Sequence, residues 1–347
     1  MDKENLLESI FAAATAVGAA ETVLRLKRRN EAKARFQRER WTVEKTWERF
    51  DLLSGWELNP GYTSDEFDIN SHGYRGEELV RGKTFRIVCL GDSVTFGQPG
   101  EKNTYPQVLQ KELAKKETSL PVEVVNAGIN GQFSYNMIFR IGRIMKLRPD
   151  VILILAGWND LFFENIGHYR DNRYPYASYW DIEARETARF HLLRLIREKA
   201  GVAPKQSLPL SYSPDEFVPF NFEYNLNRII SRIQSRRVKT AVITLPKLIP
   251  DDPALITPAI QRKTILPDFI DHGDIDSFLK IYNAYDAVVK NTAEENNIPV
   301  FDAEHAFAKQ KRPRNTFFED TCHMTSAGAA LLGKFVARSL LKEGFIE

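Results

Sequence analysis

An apolar run from Phe85 to Leu90, followed at once by Gly91-Asp92-Ser93, constrains the fold of this chain most strongly. Short apolar runs bounded by turn residues are typical of fully buried strands. A strand that ends in a small polar turn is where an open α/β sheet presents reactive groups. Gly, Asp and Ser are also the commonest turn residues, so this tripeptide alone favours an ordinary turn over a functional site.

Three further polar stretches make a functional site the better interpretation. Asn126-Ala127-Gly128-Ile129-Asn130-Gly131 directly follows the apolar run 122–125, and Gly157-Trp158-Asn159-Asp160 directly follows the apolar run 151–155. The third stretch, Asp320-Thr321-Cys322-His323, precedes the last predicted helix. Two of the three stretches therefore follow predicted strands, as Ser93 does.

These residues, in this order, resemble the signature of the SGNH hydrolase family, also called GDSL-type esterases and lipases. The four signature residues of that family, Ser, Gly, Asn and His, match Ser93, Gly131, Asn159 and His323. The resemblance covers about residues 84–342. The serine motif continues Val-Thr-Phe where the family name implies Leu, at a position that varies within the family.

A candidate triad follows from the needs of a serine nucleophile. A serine hydroxyl reacts poorly at neutral pH unless a base lies beside it, and His323 is the candidate base for Ser93. Asp320, three residues before His323, can reach the Nδ1–H and stabilise the imidazolium. Taken alone, the Asp-x-x-His spacing would equally suit a helix cap and a surface histidine. Cys322 is interpreted as a filler residue and Asp302 as structural.

Acyl transfer also needs donors that point at the developing oxyanion. The backbone N–H of Ser93, the backbone N–H of Gly131 and the side-chain amide of Asn159 are the three predicted donors. Gly128 is the competing choice for the glycine, and the resemblance favours Gly131 because the second glycine of the motif begins the next helical segment. Asp160 is predicted to support the turn and to have no catalytic role.

The alternation of strand and helix patterns predicts an α/β fold. We expect three layers, α/β/α, around a central, mostly parallel, five-stranded sheet of flavodoxin-like type. The predicted strands are 85–90, 122–126, 150–156, 239–245 and 298–302. Apolar residues at helical spacing predict helices between these strands and a last helix around Leu331–Val336, with Thr325 or Ser326 as its N-cap.

The chain is predicted to have an N-terminal helical and loop extension, 1–82, and an SGNH hydrolase domain, 83–347. Within the extension, 22–50 reads as an exposed helix and 51–82 as a loop. In that loop, Asp68–Gly76 resembles a lead-in segment of one bacterial subgroup, whose Asn70 and Arg75 either pack near the site or shape a turn. Insertions near 161–220 and 246–275 follow strands and form either walls of the site or plain surface loops.

Composition limits the possible partners. The net charge of +2 gives no reason to expect nucleic acid as a partner. Two cysteines do not make a disulfide framework, and neither metal-ligand spacing nor a cofactor-binding motif is present. The uncharged stretch Ser9–Ala20 is too short to span a bilayer, so a soluble or peripheral helix is predicted in preference to a membrane span, and a cytoplasmic or peripherally membrane-associated location is favoured. The resemblance implies the alternative, a degenerate form of the membrane anchor that many bacterial relatives carry here. The oligomeric state stays open.

Three functions are compatible with these sequence features. The first is a serine esterase that hydrolyses a small-molecule, glycan or lipid ester through an acyl-enzyme. The second is an O-acyltransferase that passes the acyl group to a glycan or another alcohol. The third is a non-catalytic binding domain, which the presence of all four signature residues together with Asp320 disfavours.

Overall fold

The structure is a computed structural model, and it describes residues 15–30 apart from 21, 24–25 and 28–29, then 47–51, 54–98, 103–163, 214, 217–267, 270–271 and 273–346. The chain divides into two compact units, Met1–Glu57 with Ile166–Leu210, and Leu58–Asn165 with Ser211–Glu347. Much of the predicted insertion at 161–220 lies outside the described residues.

The second unit is built on a five-stranded sheet whose strands are all parallel. Its strands are β3 (Phe85–Gly91), β4 (Val122–Gly128), β5 (Val151–Leu155), β6 (Lys239–Ile243) and β7 (Val300–Phe301). Their order across the sheet is β4-β3-β5-β6-β7, and each neighbouring pair is parallel. The predicted flavodoxin-like architecture is confirmed.

Helices cover both faces of this sheet. They are α1 (Ser93–Phe96), α2 (Tyr105–Leu113), α3 (Ser134–Ile144), α4 (Trp158–Phe163), α5 (Phe220–Gln234), α6 (Pro258–Lys263), α7 (Ile275–Glu295), α8 (Ala303–Ala308) and α9 (Ser326–Lys342). Helix α2 packs against α9, whereas α5 packs against both α3 and α7. Because both faces are covered, all five residues of β5 are buried, which explains its uninterrupted apolar sequence.

The predicted helical faces are buried as expected. Leu226, Ile229, Ile230 and Ile233 line the inner face of α5, and Thr325 is the N-cap of α9, where its hydroxyl accepts from the N–H of Gly328. The predicted strand at 298–302 is shorter than expected, since only Val300 and Phe301 pair with β6. Very short strands are common at sheet edges, where they limit pairing with other chains.

Two expectations for the segment before the core are wrong. The predicted helix 22–50 is wrong over its last residues, because Glu48–Asp51 forms β1. The predicted loop 51–82 contains a strand, because β1 pairs with β2 (Gly55–Leu58). The turn between the strands is stabilised by Asp51, whose Oδ1 accepts from the N–H and the hydroxyl of Ser54. Strand pairing thus overrides the helical propensity of this charged sequence. Described residues between 22 and 30 are helical and exposed.

None of the helices in the described ranges combines the length and the apolar character that crossing a membrane requires.

Candidate active site

Ser93 lies at the carboxyl edge of the sheet, in the first position of α1. Two glycines let this short helix lie directly on the strand ends. A Cβ at Gly128 would come within 2.1 Å of the backbone nitrogen of Phe96, and a Cβ at Gly91 within 2.0 Å of the Thr95 Oγ1. Because real Cβ atoms do not approach so closely, these positions require glycine, and the serine turn is fixed against β3 and β4.

His323 and Asp320 reach the same edge from the loop before α9. His323 Nε2 lies 2.9 Å from Ser93 Oγ, and His323 Nδ1 lies 2.7 Å from Asp320 Oδ2. The other carboxylate oxygen, Asp320 Oδ1, accepts from the backbone N–H of Cys322 at 2.9 Å and of His323 at 2.8 Å. The three residues of the predicted triad therefore form one continuous hydrogen-bonded chain.

The electrostatics of Asp320 fix the direction of these hydrogen bonds. Burial alone would raise the pKa of the Asp320 carboxyl, but the hydrogen bonds from His323 and its charge hold that pKa below its usual value. An ionised carboxylate only accepts, so Nδ1 of His323 must hold the proton that faces it. The lone pair of Nε2 is then directed at the hydroxyl of Ser93.

Thr321 ties this loop to the segment 246–275. Its hydroxyl donates to the carbonyl oxygen of Ile265 at 2.6 Å and accepts from the N–H of the same residue at 2.7 Å. Its carbonyl oxygen accepts from the N–H of Leu248 at 2.9 Å. The predicted insertion is therefore bonded directly to the loop that holds His323. No sequence pattern indicated this role of Thr321.

The oxyanion side of the site follows β4 and β5. Gly131 has a positive φ of 70°, which suits glycine, and the backbone of Ile129 donates to the carbonyl of Gly91 at 3.2 Å, so this turn is linked to the serine turn. Asn159 Nδ2 donates to the carbonyl of Gln132 at 3.1 Å. An amide has two N–H groups, so the second can face a substrate.

The structure also bears on the choice between the two glycines. The N–H of Gly128 donates to the side-chain oxygen of Asn126 at 2.9 Å, and its Cα packs against the backbone of α1. Gly128 is thus used for packing and has its donor engaged inside the fold. Gly131 is the better placed of the two to offer an N–H to a ligand.

Asp160, adjacent to Asn159, is fully buried and supports the start of α3. Its two carboxylate oxygens accept from the N–H of Ser134 at 2.8 Å and from the hydroxyl of Ser134 at 2.6 Å. A negative charge at a helix N-terminus is stabilising, and Asn225 extends this network by donating to the Ser134 hydroxyl at 3.0 Å. These contacts agree with a supporting role for Asp160.

Asp302 caps α8 and lies outside the hydrogen-bonded chain of Ser93. Its Oδ1 accepts from the N–H of His305 at 3.0 Å and from the hydroxyl of Thr244 at 3.2 Å, and its Oδ2 lies 3.4 Å from Lys290 Nζ. Both of its oxygens are thus engaged in holding β6, α7 and α8 together. This arrangement agrees with the structural role predicted for it.

Cys322 is a buried thiol beside the histidine. Burial, with the charge of Asp320 adding to it, raises the pKa of the Cys322 thiol well above its usual range. Its Sγ, His323 and Asp320 could geometrically surround a metal ion, since their ligand atoms lie within 4.8 Å of one another. A thiol that stays protonated is a poor metal ligand and a poor nucleophile, and both ring nitrogens of His323 already face Ser93 and Asp320. The geometry favours a hydrogen-bonded triad over a metal site.

A small pocket with an enclosed volume of about 10 Å³ opens beside Ser93. Ser93 and His323 lie on one part of its lining, and Gly97, Gln98, Thr104 and Met324 on another.

Asp92 is a buried carboxyl directly before Ser93. It caps α1 by accepting at Oδ1 from the N–H of Val94 at 2.9 Å, while its Oδ2 has no hydrogen-bond partner within the described part of the chain. Burial raises the pKa of Asp92 to about 7, which the hydrogen bond from Val94 and the nearby His323 only partly offset. The Gly-Asp-Ser sequence predicted a turn here but gave no signal for this depth of burial.

We expect Asp92→Asn to stabilise the protein at alkaline pH. A carboxyl whose pKa is raised by folding contributes stability below its unfolded value near 4 and loses it as pH rises through about 7. The asparagine keeps the cap and does not ionise, so its advantage should grow from pH 4 to 7 and then level off, at up to about 4 kcal/mol. Urea unfolding at pH 5, 6.5 and 8 measures the difference.

Asp302→Asn is the matched control, and its effect on stability should have the opposite sign. Burial alone would raise the pKa of Asp302, but the bond from His305 and the charge of Lys290 lower it below its usual value. This substitution should therefore destabilise the protein by a constant amount from pH 5 to 8, and the effect should shrink only as pH falls below the unfolded value near 4. An Asp92→Asn advantage that does not vary with pH would show that Asp92 is not the titrating group.

Comparison with known proteins identifies the family to which this chain belongs. Among curated proteins, no sequence matches significantly. A lipase/acylhydrolase from Enterococcus faecalis is 17% identical, covering 76% of this chain and 97% of its own, with a TM-score of 0.46. An acetyl xylan esterase from Geobacillus stearothermophilus is 17% identical, covering 75% of this chain and 95% of its own, with a TM-score of 0.47. These likenesses are too distant to indicate a substrate.

The sequence model of the GDSL-like lipase/acylhydrolase family matches residues 89–331, well over half of the chain. The matched stretch contains Ser93, Gly131, Asn159, Asp320 and His323. The resemblance drawn from the sequence is thereby confirmed: this chain belongs to the GDSL-like lipase/acylhydrolase family, whose members are enzymes that act on ester bonds.

Proposed function

We propose that this protein is a serine esterase that hydrolyses a carboxylic ester through an acyl-enzyme. One observation supports the proposal most directly: the chain of hydrogen bonds from Ser93 Oγ to His323 Nε2, at 2.9 Å, and from His323 Nδ1 to Asp320 Oδ2, at 2.7 Å. A nucleophile, a base and a group that orients the base are the elements that serine hydrolysis needs.

Acylation begins when Ser93 Oγ attacks the ester carbonyl carbon and its proton passes to Nε2 of His323. The bond between that carbon and the alcohol oxygen then breaks, and the imidazolium returns the proton to the leaving alcohol. In deacylation a water attacks the acyl carbon and gives its proton to Nε2. The bond to Ser93 breaks, the serine regains a proton, and the carboxylic acid leaves.

Asp320 serves this cycle by staying ionised. The lowered pKa of its carboxyl keeps the negative charge beside the imidazolium that forms in each half-reaction. The same carboxylate holds the Nδ1 proton, so the histidine presents the unprotonated Nε2 to the serine. The two backbone N–H groups that bind Asp320 Oδ1 fix the position of the acid itself.

The oxyanion of the tetrahedral intermediate is proposed to accept from the N–H of Ser93, the N–H of Gly131 and the side-chain amide of Asn159. Two hydrogen bonds support this assignment: Ile129 donates to the carbonyl of Gly91, which links the Gly131 turn to the serine turn, and Asn159 donates to the carbonyl of Gln132, next to Gly131. Donors already fixed in place lower the barrier without reorganising during the reaction.

We expect a fluorophosphonate to label the protein at Ser93, because the probe needs a hydroxyl activated by a base. Peptide mass spectrometry after labelling of wild type and of Ser93→Ala identifies the modified residue. Cys322→Ala is the control and should be labelled like wild type, since the Cys322 thiol is buried and protonated. Label on Cys322, or label that persists in Ser93→Ala, would rule out Ser93 as the nucleophile.

Hydrolysis and transfer differ in the molecule that attacks the acyl-enzyme. An O-acyltransferase would form the same intermediate and resolve it with an alcohol, such as a glycan hydroxyl, in place of water. Product analysis with and without an alcohol acceptor separates the two activities. Free carboxylic acid as the main product in the presence of acceptor supports the esterase.

A further inference from the structure

Arg75 is a buried arginine outside the four signature residues. Its Nη1 lies 2.9 Å from the carbonyl oxygen of Phe96, 2.7 Å from that of Gly97 and 3.3 Å from that of Gln98. These carbonyls follow one another at the C-terminal end of the short helix that begins with Ser93. A single cation therefore binds the end of the helix opposite to the serine.

Two rings and a strand hold the guanidinium in place. Its carbon lies 4.9 Å from the centre of the Phe67 ring and 4.7 Å from that of the Phe96 ring, so the cation is enclosed by aromatic faces. The backbone of Arg75 pairs with that of Asn126 in β4, and the Asn126 amide also donates to the Phe96 carbonyl at 3.2 Å. The lead-in segment is thus bonded to both the sheet edge and the serine helix.

Two of the three carbonyls that Arg75 binds belong to residues that line the pocket beside Ser93. These residues are Gly97 and Gln98, and Gly97 has a φ of 86°, a conformation that suits glycine. A Cβ at Gly97 would lie 3.3 Å from Arg75 Nη1 and 2.4 Å from a methyl carbon of Thr104. The wall is therefore close-packed between the arginine on one side and the start of α2 on the other.

Resting on the esterase function proposed above, we propose that Arg75 is a positioning residue that sets the Gly97–Gln98 wall of the substrate cavity. It touches no reacting atom and acts through three backbone carbonyls. The ester group that enters the cavity meets this wall, so the position of the wall determines which acyl chains fit. Loss of the guanidinium fork should change selectivity between esters as well as overall rate.

The test compares Arg75→Lys with Arg86→Lys in the full chain. Lysine keeps the charge but lacks the planar fork that reaches several acceptors. Arg86 is a suitable control because it too is largely buried, pairs with Glu123 and donates to the carbonyl of Leu147, but lies at the opposite end of β3. Each variant is assayed for kcat/KM on p-nitrophenyl acetate and p-nitrophenyl hexanoate, with urea unfolding measured in parallel.

We expect Arg75→Lys to lower kcat/KM by about 10- to 100-fold, since misplacement by about 1 Å can cost 100-fold. The ratio of kcat/KM between the two esters should change about tenfold, whereas Arg86→Lys should leave it at the wild-type value. A purely structural role would reduce both activities by one common factor and leave the ratio unchanged. An unchanged ratio in folded Arg75→Lys, or an equal change in Arg86→Lys, overturns the inference.

Phe67→Leu covers the case in which Arg75→Lys does not fold. It removes one of the two rings around the guanidinium and leaves the three carbonyl contacts available, so the ratio should change in the same sense but less. A folded Phe67→Leu with the wild-type ratio then overturns the inference. Wild type that hydrolyses neither ester overturns the proposed function, and this inference with it, whereas an active wild type with unchanged variant ratios overturns the inference alone.

Discussion

Ser93→Ala and His323→Ala should each lower kcat by about 10⁵–10⁶-fold, the range expected when residues that act as a unit are removed. The 2.9 Å contact between Ser93 Oγ and His323 Nε2 is the reason. Without the base the hydroxyl is not activated, and without the hydroxyl the base has no nucleophile to deprotonate. The double variant should be no slower than either single variant, and steady-state hydrolysis of p-nitrophenyl acetate measures all three.

Controls separate this effect from a loss of folding. Cys322→Ala changes the residue next to His323 and should leave kcat within about twofold of wild type, because the thiol takes no part in the proton transfers. Asp320→Ala should be severe but milder than Ser93→Ala, since a free histidine still adopts the productive orientation part of the time. If Asp302→Ala were inactive and Asp320→Ala fully active, the acid of the triad would have been assigned to the wrong residue.

Asn159→Ala should lower kcat by about 10²–10³-fold, or about 2.7–4 kcal/mol, with little change in KM. The amide contributes one of three proposed oxyanion donors, and charge develops on the carbonyl oxygen only in the transition state. An interaction made only there appears in kcat and not in KM. Initial-rate kinetics over a wide range of ester concentration separate the two constants.

Asn296→Ala provides the matched control for this prediction. Its amide donates to the carbonyl of Thr292 at 2.8 Å near the end of α7, as the amide of Asn159 donates to a carbonyl within the site. Its loss should change stability slightly and kcat not at all. If Asn159→Ala instead raises KM and leaves kcat unchanged, the amide binds the substrate in its ground state and the oxyanion assignment fails.

The sequence predicted most of the sheet because buried parallel strands leave a strong local signal. The run Val151–Leu155 is apolar throughout, and apolar runs of this length can hardly lie anywhere but in the core. The same signal predicted which residues lie at the sheet edge, because parallel strands bring their carboxyl ends together and these residues directly follow the strands. This is why the sequence alone predicts Ser93 and Asn159 as residues of the site.

What the sequence did not reveal depends on contacts between distant residues. Strand β1 lies in a charged segment with helical propensity, and only its pairing with β2 makes it a strand. The resemblance favoured Gly131 over Gly128, but the physical reason, that the Gly128 N–H is engaged by Asn126, depends on the fold. The sequence left open whether Arg75 packs near the site or shapes a turn, because its acceptors lie 21 to 23 residues further along the chain.

The hydrogen bonds of Thr321 to Ile265 and Leu248 have a consequence for engineering. The segment 246–275 lies at the edge of the site, and exchanging it for that of a relative is an obvious route to a new substrate range. Because this segment is bonded to the residue between Asp320 and Cys322, it is not an independent module. A graft that omits the backbone positions facing Thr321 would introduce the new loop but misalign His323. The resulting loss of activity would then be attributed wrongly to the specificity of the new loop.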